Sequence, residues 1–349
     1  MINYFSEFWK TRQTLLLAHQ FDKTPTLPII SFEILIVLIT ISLLFIISRY
    51  EKKVLLRYFV ITMGIFIFEF FTSPMWNNYK MGNWAYVYQD VSWILTIGWA
   101  TLVLWTTVFV DNVFTKLHEW KRFGLYLLIL TILVIILESV VINLGIRSYS
   151  PEVKEVTLGY FAFGTPVGVL YYVPVFMALV IGFYKYWNFM IFDKPIVPLR
   201  KRKWFRSLLI SVIGVFLFEL MIEPMVINAK MPSWSYIYRD VSFLMTGGWV
   251  IIAWLAINLV DKFSIHLDLF RKFISYLVVI FLVTLPIESL LIINGFRIYG
   301  PSTTAAFSGF KIPIFHIPVE VAFGIPFYFA LIISFIKYWE IILEEKRKR

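Results

Sequence analysis

Nine stretches of this chain are each apolar over a length that crosses lipid: 31–49, 54–72, 91–113, 123–145, 158–184, 204–222, 241–260, 272–294 and 313–338. About 20 apolar residues in helical form span the hydrocarbon of a bilayer. A backbone inside lipid must satisfy its own amides and carbonyls, so these stretches are expected to be helices. Little of the chain is left over: of 349 residues, 60% are hydrophobic and 15% charged. No water-soluble fold hides that much apolar surface. The expected fold class is therefore all-α, a polytopic membrane protein of about nine transmembrane helices.

Basic residues set the expected orientation. They fall in alternate turns: Arg49, Lys52, Lys53 and Arg57; Lys116, Lys121 and Arg122; Lys194, Arg200, Lys201, Arg202, Lys203 and Arg206; Lys262, Arg271 and Lys272; and the terminal Lys-Arg-Lys-Arg. Counting spans puts all of them on one side, which the positive-inside bias makes cytoplasmic. The expectation is a multi-pass protein of the cell membrane with its N-terminus outside and its C-terminus in the cytoplasm. The same turns account for the net charge of +10, so membrane lipids rather than nucleic acid are the expected partner. Residues 1–28 contain no cleavable signal pattern. There Phe5, Phe8, Trp9, Arg12, Leu15 and Leu16 fall near helical spacing, which predicts a short helix lying on the membrane surface.

The text from Pro74 to Trp99 returns from Pro224 to Trp249 at an offset of 150, with no gap and 14 of 26 positions identical. Glu138-Ser139 returns as Glu288-Ser289, and Gly145, Arg147, Tyr149 and Pro151 return as Gly295, Arg297, Tyr299 and Pro301. After a two-residue insertion, Pro166, Pro174 and Lys185-Tyr186-Trp187 match Pro318, Pro326 and Lys337-Tyr338-Trp339. These matches predict two parallel four-helix repeats and one extra N-terminal helix. The expected layout is an N-terminal interfacial segment (1–30), the extra helix (31–53), repeat 1 (54–190), a basic linker (191–203), repeat 2 (204–340) and a charged tail (341–349). A finer repeat remains open: Glu69 to Glu138 and Glu219 to Glu288 are both 69 residues apart.

Acids inside apolar helices carry the chemical signal. Glu69, Glu138, Glu219 and Glu288 each sit in an apolar run, where an ionised carboxylate costs roughly 2.5–3.5 kcal/mol on the lenient insertion scale. They are expected to face the bundle, paired or protonated. Arg147 and Arg297 follow in the next turn, and two readings of the Glu–Arg pairs stand side by side: a clamp on the helix end, or a proton-donating carboxyl with a raised pKa. Glu320 aligns with Gly168, and Glu223 with Ser73. A single-copy buried acid is the better candidate for chemistry, because one pocket needs one donor. Asp90 and Asp240 are expected to cap the helices that they precede. Asp111 and Asp261 are expected to pair with basic loops. Trp84, Tyr86, Tyr88, Trp234, Tyr236 and Tyr238 read either as an interfacial belt or as the walls of a pocket for a flat ligand, since aromatic faces also stabilise cations. Prolines 166 and 174, and 313, 318 and 326, are expected to break spans five and nine and to flank that pocket.

Absences narrow the classes. Cysteine is missing and only four histidines occur, none at ligand spacing, so no metal site is expected. No lysine falls in the middle of an expected span, and no phosphate-binding loop, nucleophile elbow or dinucleotide fingerprint occurs. No cofactor is expected.

Residues 288–326, ESLLIINGFRIYG…FSGFKIPIFHIPVEVAFGIPF, carry a resemblance. An acid ends one helix, a glycine-aromatic turn follows, and the next helix opens on Pro-x-Glu. This resembles the small-subunit-type membrane lycopene cyclase domain. The order Glu, turn, Gly164-Thr165-Pro166 is similar to carotenoid hydratases. Val321 stands where the cyclase pattern has a second acid, and Arg297 where it has an aromatic. The resemblance implies that Glu288 and Glu320 are the acids at the substrate.

The leading expectation is a membrane-embedded, cyclase- or hydratase-like enzyme acting on an isoprenoid or carotenoid-like lipid. Glu320, Glu288 and Glu138 are its candidate catalytic acids. Glu69, Glu219, Arg147, Arg297, Trp84, Tyr86, Trp234 and Tyr236 are its candidate substrate contacts. The alternatives are a transporter or lipid-moving protein with buried carboxylates in proline-broken helices, and a non-catalytic scaffold.

Overall fold

A computed structural model describes residues 22–156, 160–166, 169–192, 204–264 and 266–345. The surface helix expected near the N-terminus, most of the basic linker and the last four residues lie outside this range. The chain is an all-α polytopic membrane protein, with nine long apolar helices among the described residues.

In chain order, α1 (Leu27–Ser48) and α2 (Val54–Thr72) lead into strand β1 (Trp76–Asn78). A small hairpin, β2 (Tyr86–Tyr88) with β3 (Val91–Ser92), precedes α3 (Trp93–Val113) and α4 (Glu119–Asn143). Then come β4 (Arg147–Tyr149), the short α5 (Pro151–Val156) and a second hairpin, β5 (Phe161–Ala162) with β6 (Thr165–Pro166). Helix α6 (Val169–Phe192) closes the N-terminal half. The C-terminal half runs α7 (Trp204–Ile222), β7 (Val226–Asn228), β8 (Tyr236–Tyr238), β9 (Val241–Ser242), α8 (Phe243–Phe263) and α9 (Leu269–Ile293). It ends with β10 (Arg297–Tyr299), the short α10 (Pro301–Ala306) and α11 (Val319–Glu345).

Local chemistry sets the helix ends. Ser92 caps α3 by accepting from the Leu95 amide at 3.4 Å, and Asp268 caps α9 by accepting from the Arg271 amide at 2.9 Å. Helix α4 stops at Gly145 and α9 at Gly295, whose φ values of 71° and 67° are left-handed. Glycine adopts that turn without strain, and it lets the last carbonyls find amides one turn on. The Ile146 amide reaches the Val141 carbonyl at 3.0 Å, and the Phe296 amide reaches Leu291 at 2.8 Å.

Two expected spans start later than the apolar runs. Residues 158–168 and 313–318 are apolar, yet α6 begins at Val169 and α11 at Val319. Pro166, Pro313 and Pro318 therefore precede these helices rather than break them, and only Pro174 and Pro326 lie inside. Proline lacks the amide that a helix interior needs, and Phe163 and His316 are left-handed (φ 53° and 54°), so the described residues 160–166 and 313–318 turn instead. The later starts move both helices along the sequence. Lys185 and Lys337 consequently lie inside spanning helices, about two turns from their ends, where none was expected.

Helices α6 and α11 pack along one another at the centre of the bundle. A Cβ built on Gly182 would come within 3.0 Å of the Phe335 backbone, so the two backbones touch there as only glycine permits. At one end of the bundle two antiparallel ladders form in matching register. Asn78 pairs with Arg147 and Trp76 with Tyr149; Asn228 pairs with Arg297 and Val226 with Tyr299. We call this the ladder end, and the opposite end, with the lysine-rich turns, the basic end.

Candidate functional site

Each ladder aims one arginine back into the helices. Arg147 Nε donates to Asn78 Oδ1 at 3.0 Å, and its terminal nitrogen reaches both oxygens of Glu138 at 3.1 and 3.2 Å. The Tyr149 hydroxyl donates to Glu138 Oε1 at 2.5 Å. In the C-terminal half Arg297 donates to Asn228 Oδ1 at 2.7 Å. It stands 3.4 Å from Glu288 and 3.8 Å from Glu219, and the Tyr299 hydroxyl donates to Glu288 at 2.6 Å. All of these side chains are buried except Tyr299, which is half-buried. Burial pulls the Arg147 pKa down most strongly of any single cause; Glu138, Tyr149 and Glu69 together outweigh it and hold the guanidinium charged, above its usual range. Arg297 is raised in the same way, chiefly by Glu288 and then Glu219. Burial first, and then the neighbouring carboxylate, push the Tyr149 and Tyr299 phenols up, so both act as donors.

Each half has a cavity beside its cluster. The one in the N-terminal half, about 50 Å³, is lined by Glu69, Glu138, Arg147, Tyr149, Trp76 and Tyr172 among others. The other, about 140 Å³, lies in the seam between the halves. Phe70, Phe71, Tyr88 and Gln89 wall it from one side, and Phe218, Trp249, Glu288, Arg297, Glu320 and Tyr328 from the other. Glu288 and Glu320 thus share a cavity. Glu138 does not join them; it lines the smaller, separate one, so the three acids do not form a single site. Glu69 accepts from the Thr96 hydroxyl, and Glu219 is buried beside Arg297.

The two single-copy acids part company. Glu223 is buried and paired, with Arg239 Nε at 2.9 Å. Where the C-terminal half has Glu223 and Arg239, the N-terminal half has Ser73 and Gln89, so acid and counter-ion occur together. Glu223 Oε2 is itself without a hydrogen bond, but among the described residues Glu320 has no cation beside it at all. One oxygen accepts from the Ser308 amide at 2.6 Å, and the other, Oε2, is buried without a hydrogen bond. Gly168, its sequence counterpart, lies outside the described residues.

Of the aromatic candidates, Tyr88 walls the seam cavity and the rest lie elsewhere. Trp84 and Trp234 are exposed at the ladder end, and neither lines either cavity. Tyr86 and Tyr236 lie outside both as well. Their hydroxyls donate to the carbonyls of Asn78 and Asn228, at 3.2 and 2.6 Å, and so pin the turn beneath them. Asp90 and Asp240 do not cap α3 and α8, because Ser92 and Ser242 occupy those positions. Asp90 instead accepts from the Asn78 amide at 3.2 Å, and burial pushes its carboxyl up to about 7.

Sequence reasoning missed two features. Glu33, in α1, is fully buried and accepts from the Gly82 amide at 2.6 Å. The C-terminal half has Pro232 at the corresponding position, which has no amide to offer, and no helix equivalent to α1. The signal was a lone acid in an apolar run. At the basic end, Lys185 reaches Asp111 at 2.5 Å and the Tyr126 hydroxyl at 2.9 Å, and Lys337 reaches Asp261 at 2.6 Å. Asp111 and Asp261 do pair with Arg122 and Lys272, each at 3.0 Å, but they also hold these interior lysines. Tyr338 donates to Glu119 across the seam, tying the clusters together.

No family model, curated protein or solved structure matches this chain.

Proposed function

We propose that the chain is a membrane-embedded enzyme. Its seam cavity takes an unsaturated isoprenoid-type lipid, and Glu320 starts the reaction by protonating a double bond. The observation that carries this reading is Glu320 Oε2, buried on an aromatic cavity without a hydrogen-bond partner. The other acids are poorer donors: Glu138 and Glu288 are held by arginine and tyrosine, and Glu223 by Arg239. The resemblance of residues 288–326 to membrane lycopene cyclases supports the same assignment.

In the proposed step the Glu320 O–H bond breaks as the alkene π pair forms a C–H bond, leaving a carbocation and a carboxylate. Phe71, Phe218, Trp249 and Tyr328 wall that cavity, and aromatic faces lower the energy of a cation. The cation closes a ring on a second double bond and returns a proton to the carboxylate, or it captures water and then loses the proton. Either outcome is redox-neutral. Glu288, 3.4 Å from Arg297, lines the same cavity, where an acidic side chain favours a developing cation. The orientation with the ladder end outside belongs to the same proposal and follows the basic turns.

Expression in cells that accumulate a linear carotene tests this reading. The wild type should convert the pigment, and E320Q should leave it unchanged. An unaltered pigment profile with well-expressed wild-type protein would count against it. A second reading, movement of a lipid across the bilayer, is favoured by the position of the cavity in the seam, beside the proline-bearing α11. Flux measured in vesicles separates the two.

A further inference from the structure

Two aromatic side chains that fill the smaller cavity have small counterparts in the larger one. Five walls are identical at corresponding positions: Phe68 and Phe218, Trp99 and Trp249, Glu138 and Glu288, Arg147 and Arg297, Tyr149 and Tyr299. Val134, Val173 and Phe176 give way to Thr284, Ile325 and Tyr328, of similar size. Two positions change size strongly. Trp76, which lines the 50 Å³ cavity, corresponds to Val226, and Tyr172 corresponds to Gly324; both replacements line the 140 Å³ cavity.

The geometry of Gly324 fits a space left open. A Cβ built there would meet Phe71 at 3.4 Å and Tyr328 at 3.5 Å, which is ordinary contact, and both of those residues are cavity walls. No close backbone approach and no left-handed φ demands glycine at this position. Trp76, in contrast, is packed into its own half, 5.4 Å from Phe68 and 5.5 Å from the Arg147 guanidinium.

We infer that Gly324 and Val226 are the specificity-determining residues of the seam cavity, and that they make room for a flat, uncharged ring or conjugated end group. In the N-terminal half that room is taken up by an indole and a phenol, so the filled cavity is a template for the ligand of the open one. One chain then holds one ligand. This inference rests on the reading of the seam cavity as the substrate site and adds the shape of what enters it.

The test uses the purified full-length protein in detergent with all-trans-retinol, a neutral ring-bearing polyene. Binding is read by energy transfer from tryptophan. Wild type should saturate at one retinol per chain. G324Y and V226W should each weaken binding about tenfold or more, while eluting as folded protein on size exclusion. Wild type without saturable binding, or folded G324Y and V226W that bind as wild type does, would overturn the inference. If neither filling variant folds, Y172G decides. It should raise the stoichiometry to two retinols per chain, and a stoichiometry of one would overturn the template argument. Pigment conversion by E320Q is read separately. If E320Q converts normally while G324Y blocks retinol, the proton-donor reading fails and the shape inference stands.

Discussion

The Ser308 amide donates to Glu320 Oε1 at 2.6 Å and leaves Oε2, buried, without a partner. Ser308 lies in the turn between α10 and α11, and Glu320 is in the first turn of α11. One backbone bond therefore fixes the orientation of the carboxyl without supplying a cation to neutralise it. The arginine-held acids of both halves have the opposite environment, a permanent positive charge at hydrogen-bond or ion-pair distance.

The ion pair of the N-terminal half should be structural. Replacing Glu138 with Ala leaves Arg147 buried without its carboxylate, an arrangement that costs about 3–5 kcal/mol. The thermal midpoint in detergent should fall sharply, and retinol binding in the surviving folded fraction should be unchanged. Loss of binding with an unaltered midpoint would place Glu138 at the ligand instead.

Glu33 should hold α1 to the N-terminal half. E33A orphans the Gly82 amide, at a cost of about 1–3 kcal/mol. Hydrogen exchange at Gly82 and along Leu27–Ser48 should rise, while the C-terminal half, with Pro232 at the matching position, stays protected. Uniform exchange in the variant and the wild type would contradict this.

Asp90 gives stability an acid-favouring pH dependence. Its carboxyl sits at about 7 in the folded chain, pushed up by burial from the ordinary 3.8. Between those values the folded state holds a proton that the unfolded state releases, so stability should fall as pH rises from 4 through 7. The effect is on the order of 1–3 kcal/mol, and D90N should flatten it. A D90N profile parallel to that of the wild type would show that other groups carry the dependence.

At the basic end, Lys185 and Asp111 should be coupled. A double-mutant cycle with K185M and D111N should give an interaction energy of about 0.5–3 kcal/mol in thermal unfolding. An additive cycle would mean that Arg122 and Tyr126 satisfy Asp111 without the lysine.

The helices were legible because lipid imposes a length and a polarity that nothing else in the chain satisfies. Glu69, Glu138, Glu219 and Glu288 were legible as inward-facing for the same reason, since hydrocarbon excludes their charge. The ladders were not. A three-residue strand such as Arg147–Tyr149 is too short for an alternating pattern, and its pairing with Trp76–Asn78 depends on two turns coming together from distant parts of the chain. The starts of α6 and α11 were hidden because residues 158–168 and 313–318 are as apolar as a span, and only their prolines mark them as turns. That error left Lys185 just beyond its expected span, 158–184, and put Lys337 at the very end of its own, 313–338, although both lie about two turns inside their helices. Alignment of the two halves marked both Glu223 and Glu320 as single-copy acids, and the sequence favoured Glu320. The structure adds a physical difference: Arg239 stands against Glu223, and no cation among the described residues stands against Glu320.

Deuterium incorporation tests the central claim most directly. Wild-type protein converting an unsaturated isoprenoid in D2O should place one deuterium on the carbon that receives the proton, and E320Q should form no labelled product, a loss of about 10²-fold or more. Labelled product from E320Q at the wild-type rate would contradict Glu320 as the donor.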